Sequence, residues 1–172
     1  MFFVIKLSKF FLDEQVKLTI VPQPQSRKKR DVTNENAQKK LYMEFDSNGK
    51  AIVGYTETII NIYHGGFTQN DPNEVTMHVL DKGFISSVGT EVYITSMSHM
   101  PVGNTNSSFI MTEDKETGYL SFKSVSEQTK AICYDNVNNK ILIGLMADKE
   151  LSCIFKNNQD GKAYLFIIIF IH

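Results

Sequence analysis

The sequence predicts an all-β protein of antiparallel four-stranded blade repeats, a partial β-propeller, with a β-sandwich or barrel as the alternative. Three observations carry that expectation. Strand and turn signals alternate from Leu41 onward, and no stretch of a dozen residues keeps a helical period. The aromatics are twelve Phe and seven Tyr with no Trp, which together with many Ile, Val and Thr favour pleated over helical structure. The segment from Lys40 to Gly54 matches the segment from Lys130 to Gly144: each reads apolar strand, Asp/Asn turn, Lys, three apolar residues, then Gly.

Taken in order, Met1 to Leu12 is apolar but interrupted by Lys6 and Lys9, and no small-residue cleavage site follows, so it makes a poor signal peptide. A short strand is expected at Val16 to Val21. Pro22 and Pro24 then break regular structure, and Ser26 to Arg30 carries four positive charges in a row. These features divide the chain into a short apolar segment (1–21), a basic and polar linker (22–40) and a β-repeat domain (41–172). Within that domain Leu41 to Phe45 and Ala51 to Tyr55 flank Asp46-Ser47-Asn48-Gly49, a hairpin signature because Asn-Gly accepts the positive φ such turns need. Further strands are expected at Thr58 to Tyr63, Val75 to Leu80, Phe84 to Ser87, Glu91 to Ser96, Phe109 to Thr112 and Tyr119 to Phe122. Ala131 to Tyr134, Lys140 to Leu145, Leu151 to Phe155 and Tyr164 to Ile171 close the series.

A weaker copy of the repeated hairpin, Phe84 to Thr95, lies midway between the other two. Steps of about 45 residues suit a propeller blade of four strands, so residues 41–172 hold about three blades. Closed propellers have about four to eight. The arithmetic therefore leaves a fragment of a longer protein, assembly of several copies, or an architecture that is not a propeller ring.

Bulk properties narrow the function classes. The chain has 172 residues, 42% hydrophobic and 22% charged, in keeping with a folded domain. Eighteen basic against nineteen acidic residues give a formal charge of -1, which argues against a nucleic-acid binder. The apolar run Ala163 to Ile171 is too short for a transmembrane helix, which needs about 20 residues. It reads as a buried strand or as the trace of a truncated chain. Two cysteines, Cys133 and Cys153, are too few for a disulfide framework or a zinc site. They form a candidate disulfide in an oxidising compartment, although two half-buried thiols are the simpler reading.

No catalytic, cofactor-binding or metal-binding set emerges. His64-Gly65-Gly66-Phe67 looks like an oxyanion loop, but no G-x-S-x-G elbow accompanies it, and a glycine pair after a strand reads as a turn. His64, His78, His99 and His172 lack ligand spacing, and Met97-Ser98-His99-Met100 reads as packing after a strand. Asp46, Asp71, Asp81, Asp114, Asp135 and Asp160 fall mostly at expected turns, where Asp bonds its own backbone. Asn106-Ser107-Ser108 is a glycosylation pattern in an expected loop and has meaning if the chain is secreted.

Lys140 to Asn157 (KILIGLMADKELSCIFKN) resembles a segment of the yellow and major royal jelly protein family of insects. There an apolar strand and Gly-Leu precede a polar turn and a Cys-Trp-Asn motif. Ile141 to Leu145 supplies the strand and Leu151-Ser152-Cys153-Ile154-Phe155 the cysteine motif, with Ile154 in place of Trp. The resemblance implies a six-bladed propeller, secretion and ligand binding in the central channel; without it, the cytoplasm is the default. The resulting expectation is a non-enzymatic binding module for a small ligand or protein partner. Two alternatives stand beside it. One is a lactonase-like hydrolase on a propeller scaffold, with Glu44, Asp46 and Asn136 converging. The other is a structural β protein self-associating through strand edges at Val16 to Val21 and Ala163 to Ile171.

Overall fold

In the computed structural model, residues 11–22, 40–65, 68, 71–97 and 99–158 are described, with side chains from Gln15 onward. The basic run Ser26 to Arg30, the C-terminal apolar run, Gly66, Phe67, Ser98, Asp160 and His172 lie outside them. The strands are β1 (Phe11–Ile20), β2 (Tyr42–Phe45), β3 (Ala51–Gly54), β4 (Ile59–His64), β5 (Glu74–Val79), β6 (Gly83–Val88) and β7 (Glu91–Thr95). They continue with β8 (Phe109–Glu113), β9 (Tyr119–Ser124), β10 (Lys130–Asp135), β11 (Lys140–Leu145), β12 (Leu151–Ser152) and β13 (Phe155–Asn157). A 3-10 turn at Thr105–Ser107 is the one helical element among the described residues.

Every strand pairing is antiparallel, and six strands close on themselves. β1 pairs with β4, β4 with β5, β5 with β8, β8 with β9, β9 with β13, and β13 returns to β1. Six of the remaining strands form three hairpins, β2–β3, β6–β7 and β10–β11, above one end of this ring, and the short β12 pairs with β10. Each hairpin joins the ring through its first strand: Thr19 faces Tyr42, His78 faces Phe84, and Lys123 faces Ala131.

This connectivity corrects the blade reading. In a blade, each strand pairs along its length with the next in sequence. Here the first strand of each quartet leaves the second after one or two residue pairs and runs beside the fourth. All thirteen strands belong to one sheet instead of separate blades, and three quartets already close the ring. The barrel alternative fits the ring in part. The segments of similar sequence, around Lys40, Phe84 and Lys130, form the three hairpins.

The interior follows from strand periodicity. Val16, Leu18 and Ile20 alternate along β1 with more accessible neighbours and are all at most 3% exposed. They meet Ile60 and Ile62 of β4, Val75, Met77 and Val79 of β5, Phe109, Phe122 and Phe155 in one cluster. The Phe122 and Phe155 rings lie 6.1 Å apart at 55°, a tilted arrangement favoured by their quadrupoles. Met43, Phe45, Ile85, Val92, Ile132, Ile141 and Ile143 extend this core up into the hairpins.

β1 begins earlier than its sequence suggests, at Phe11, with a register shift between Leu12 and Glu14. Among the described residues β4 pairs with β1 up to Lys17, and β13 and β2 take over from Leu18 to Ile20, so most of the expected Val16 to Val21 edge is already occupied. A chain of polar contacts links β1, the β3–β4 loop, β2 and the residue after β13. Lys17 Nζ bonds Glu57 Oε2 at 2.5 Å, Tyr42 donates to Glu57 Oε1 at 3.2 Å, and Asn158 Nδ2 donates to the Tyr42 hydroxyl at 3.3 Å. The Lys17 ammonium, before any other partner, holds the Glu57 carboxyl below its usual range.

Candidate binding surface

The three hairpin turns meet over the end of the ring, and each is built by a local device. In the first, Asp46 Oδ1 accepts from the Asn48 and Lys50 amides at 2.8 and 2.9 Å, while Gly49 adopts φ +78°. A side chain at Gly49 would occupy the left-handed region and approach the Ile94 carbonyl oxygen at 3.2 Å. In the third, Asp135 Oδ1 accepts from Val137 and Asn138, both at 2.9 Å, and Asn138 Nδ2 donates to Oδ2 at 2.7 Å. The Asn138 side chain, then its amide, holds the Asp135 carboxyl below the ordinary range.

The turns lean on one another in rotation. The Gly49 carbonyl accepts from Ile94 of β7 at 2.7 Å, and the Thr90 carbonyl accepts from Ile143 of β11 at 2.9 Å. Asn139 and Val53 hold the corresponding places at the third seam. Among the described residues no main-chain bond joins them, although β3 and β11 run close together, and a groove of about 420 Å³ lies among the three hairpins. Lys50, Ile52, Thr90, Glu91, Asn139 and Lys140 line it.

Its charges are arranged around one carboxylate. Lys50 forms an ion pair with Glu91, and the Tyr93 hydroxyl donates to the same carboxylate. The Lys50 bond first and the Tyr93 bond second hold Glu91 below the usual carboxylate range. Donation to Glu91 correspondingly raises Tyr93, and the same partner raises Lys50. Lys140 adds a second positive charge at the rim. Both members of the ion pair remain over 40% exposed, so water screens them and they stay available to a partner.

Exposed apolar side chains are spread over the molecule. Ile52 lies in the groove, Val88 ends β6, and Leu80, Val102 and Val137 stand on turns or loops, Val137 with 75% of its surface open. A second open groove, about 470 Å³, runs beside Cys153 between Asp114, Tyr119, Met146, Leu151 and Ile154. Mixed polar and apolar lining of this kind suits contact with another macromolecule, whose interface cores combine both.

The residues singled out in the sequence are dispersed. Glu44 lines a groove under the β3–β4 loop and its Oε1 accepts from the Thr56 amide at 2.5 Å, whereas Asp46 lines a different groove and caps its own turn. Asn136 lies in the β10–β11 turn, so the three do not gather at one point. Asp71 and Asp114 also cap their own turns, accepting from Asn73 at 2.8 Å and from Glu116 and Thr117 at 2.9 and 2.8 Å. His64 ends β4, and the Gly65 amide after it donates to the Glu74 carbonyl, continuing the pairing with β5, while Gly66 and Phe67 of the motif lie outside the described residues. His78 packs its ring 4.8 Å from Phe84. No group of His, Cys, Asp and Glu among the described residues could hold a metal ion. Cys133 and Cys153 are joined in a disulfide, which ties β10 to the segment before β13. Asn106 is exposed on the 3-10 turn. Likewise, no helix among the described residues is long and apolar enough to cross a membrane.

No family model and no curated protein matches the chain. Solved structures do. An arginine-to-alanine mutant of chicken interleukin-1β superposes with a TM-score of 0.62 at 12% identity, covering 87% of this chain and 98% of that one. Chicken interleukin-1β itself gives 0.58 at 13% identity, covering 86% and 96%. Lysenin in complex with phosphocholine gives 0.53 at 11% identity, covering 91% of this chain and 46% of that one. These likenesses identify the ring and its three-hairpin cap as a β-trefoil, in place of the expected propeller.

Proposed function

We propose that this chain is a secreted, cytokine-like β-trefoil that acts by docking its hairpin cap onto a partner protein. The observation that carries the reading is the groove bounded by all three hairpins, lined by two lysines, one glutamate and the exposed Ile52. Partner recognition needs such a surface: apolar contact at its centre and charge at its rim to fix orientation. Two further facts support it. The match to the chicken cytokine extends over nearly the whole of that chain, and a disulfide suits an oxidising, extracellular setting.

The test presents purified, fluorescently labelled chain to cultured cells. Saturable binding is expected, competed by unlabelled chain, abolished by trypsin treatment of the cells, and weakened at least tenfold by K140E or I52E. Binding that survives trypsin, or that follows phosphatidylcholine vesicles, would replace the protein partner with a lipid. Unchanged binding by both variants would remove the cap from the interface.

A further inference from the structure

We propose that Asn106 carries an N-linked glycan, and that this glycan stands beside the second cap hairpin. Asn106-Ser107-Ser108 is the one Asn-x-Ser/Thr pattern in the whole chain. The fold gives it the placement a glycan needs. Asn106 is exposed, and its side chain projects from a short 3-10 turn whose start is capped by Asn104, Oδ1 of which accepts from the Asn106 amide at 3.0 Å.

The rest of the turn is fixed from below. Ser107 is fully buried, its hydroxyl 2.6 Å from that of Ser86, which in turn accepts from Thr95 at 2.9 Å. Ser108 is also fully buried and donates to the Asn104 carbonyl at 3.2 Å. The Asn106 carbonyl accepts from Ser87 of β6 at 3.2 Å. Three of the loop's polar groups thus face inward while the one amide that can be modified faces out. The Ser108 hydroxyl is engaged elsewhere after folding, so the transfer must precede closure of this loop, as it does on a chain entering the secretory lumen.

The step is a group transfer. Asn106 Nδ2 attacks the anomeric carbon of a lipid-pyrophosphate-linked oligosaccharide. The new C–N bond forms, the bond from that carbon to the pyrophosphate oxygen breaks, and the amide gives up one proton as the lipid pyrophosphate leaves. The proposal rests on the secretion assumed for the cytokine-like reading, but its test supplies the secretory leader independently.

The full chain, placed behind a cleavable leader, is translated with microsomes, and the protease-protected product is examined by electrophoresis. A single shift to slower migration is expected, reversed by peptide-N-glycosidase. It should be lost in N106Q and in S108A and kept in S108T. Because modification precedes folding, none of these outcomes depends on the variant's stability. A protected chain that migrates unshifted would overturn the proposal, whatever the cell-binding experiment shows.

Discussion

Ring and cap are made from the same quartets of strands, yet they are held together differently. In the ring each strand has a neighbour on both sides, and the interior is filled by Phe109, Phe122 and Phe155, each fully buried. In the cap, β3 and β11 each have one partner strand, and β7 adds only the isolated bridge from Tyr93 to Lys50. Two of the seams between hairpins carry a single main-chain bond each, and the exposed Lys50–Glu91 ion pair joins the first hairpin to the second. Apolar burial runs through both, since Met43, Ile85, Ile132 and Ile143 are at most 1% exposed beneath the cap, while the outer face of the cap keeps a surface that can change with little cost to the fold. A scaffold of this kind separates what must stay fixed from what can be adapted to a partner.

The comparison can be broken most directly at Phe155. Its replacement by alanine deletes a fully buried ring that packs against Phe122, and should lower stability by about 3–5 kcal/mol in urea unfolding. A loss near 1 kcal/mol would mean that the ring is not the stable region. Next comes the disulfide, which staples cap to ring across a sequence separation of 20. The chain-entropy estimate for such a loop predicts that C133A/C153A loses about 3 kcal/mol. An unchanged urea midpoint would show that the two regions are coupled by packing alone. Within the cap, Gly49→Ala forces a left-handed backbone on a residue with a Cβ and should cost about 1–2 kcal/mol. A loss as large as that at Phe155 would erase the distinction.

The smallest effect is expected at Glu91. Its carboxyl is held below the ordinary value of 4.5, by Lys50 first and Tyr93 second. Its folded pKa is depressed, so its contribution is present above that ordinary value and fades as pH falls through the folded one. E91Q should leave the neutral-pH midpoint almost unchanged and flatten part of the acid slope below pH 4.5. A large drop at neutral pH would show that the exposed pair holds the cap together. Asp135 follows the same sign, through Asn138, and D135N should flatten the slope in the same direction.

Most strands were legible because hairpin grammar is local. Asn48-Gly49 announced its turn, and Asp46, Asp71, Asp114 and Asp135 cap turns as short polar residues do. What local grammar does not encode is whether the first strand of a quartet runs on beside the second or the fourth. A blade and a trefoil lobe share the interval of about 45 residues and differ in that choice alone. The start of β1 was hidden because Asp13 and Glu14 interrupt its apolar pattern where a register shift interrupts its pairing with β4. The candidate surface was less legible still. Lys50 and Glu91 are 41 positions apart and meet only because one turn rests on the next hairpin. Pairing of Cys133 with Cys153 likewise depends on β10 lying beside β12, where Tyr134 faces Ser152.

The seam between β1 and β13 also sets a timetable. Ser152 Oγ bonds the Val21 carbonyl across 131 positions, and Lys40 reaches Asn158 across 118. Val21 and Lys40 leave the ribosome well before Ser152 and Asn158, so the barrel cannot shut until the later partners have emerged. Until then β1 waits with an empty edge and Phe155 has not yet emerged to fill the interior. Closure over such distances is slow for a domain of this size, on the order of milliseconds to seconds. The nascent chain must therefore be kept from pairing with its neighbours for longer than its short hairpins would need.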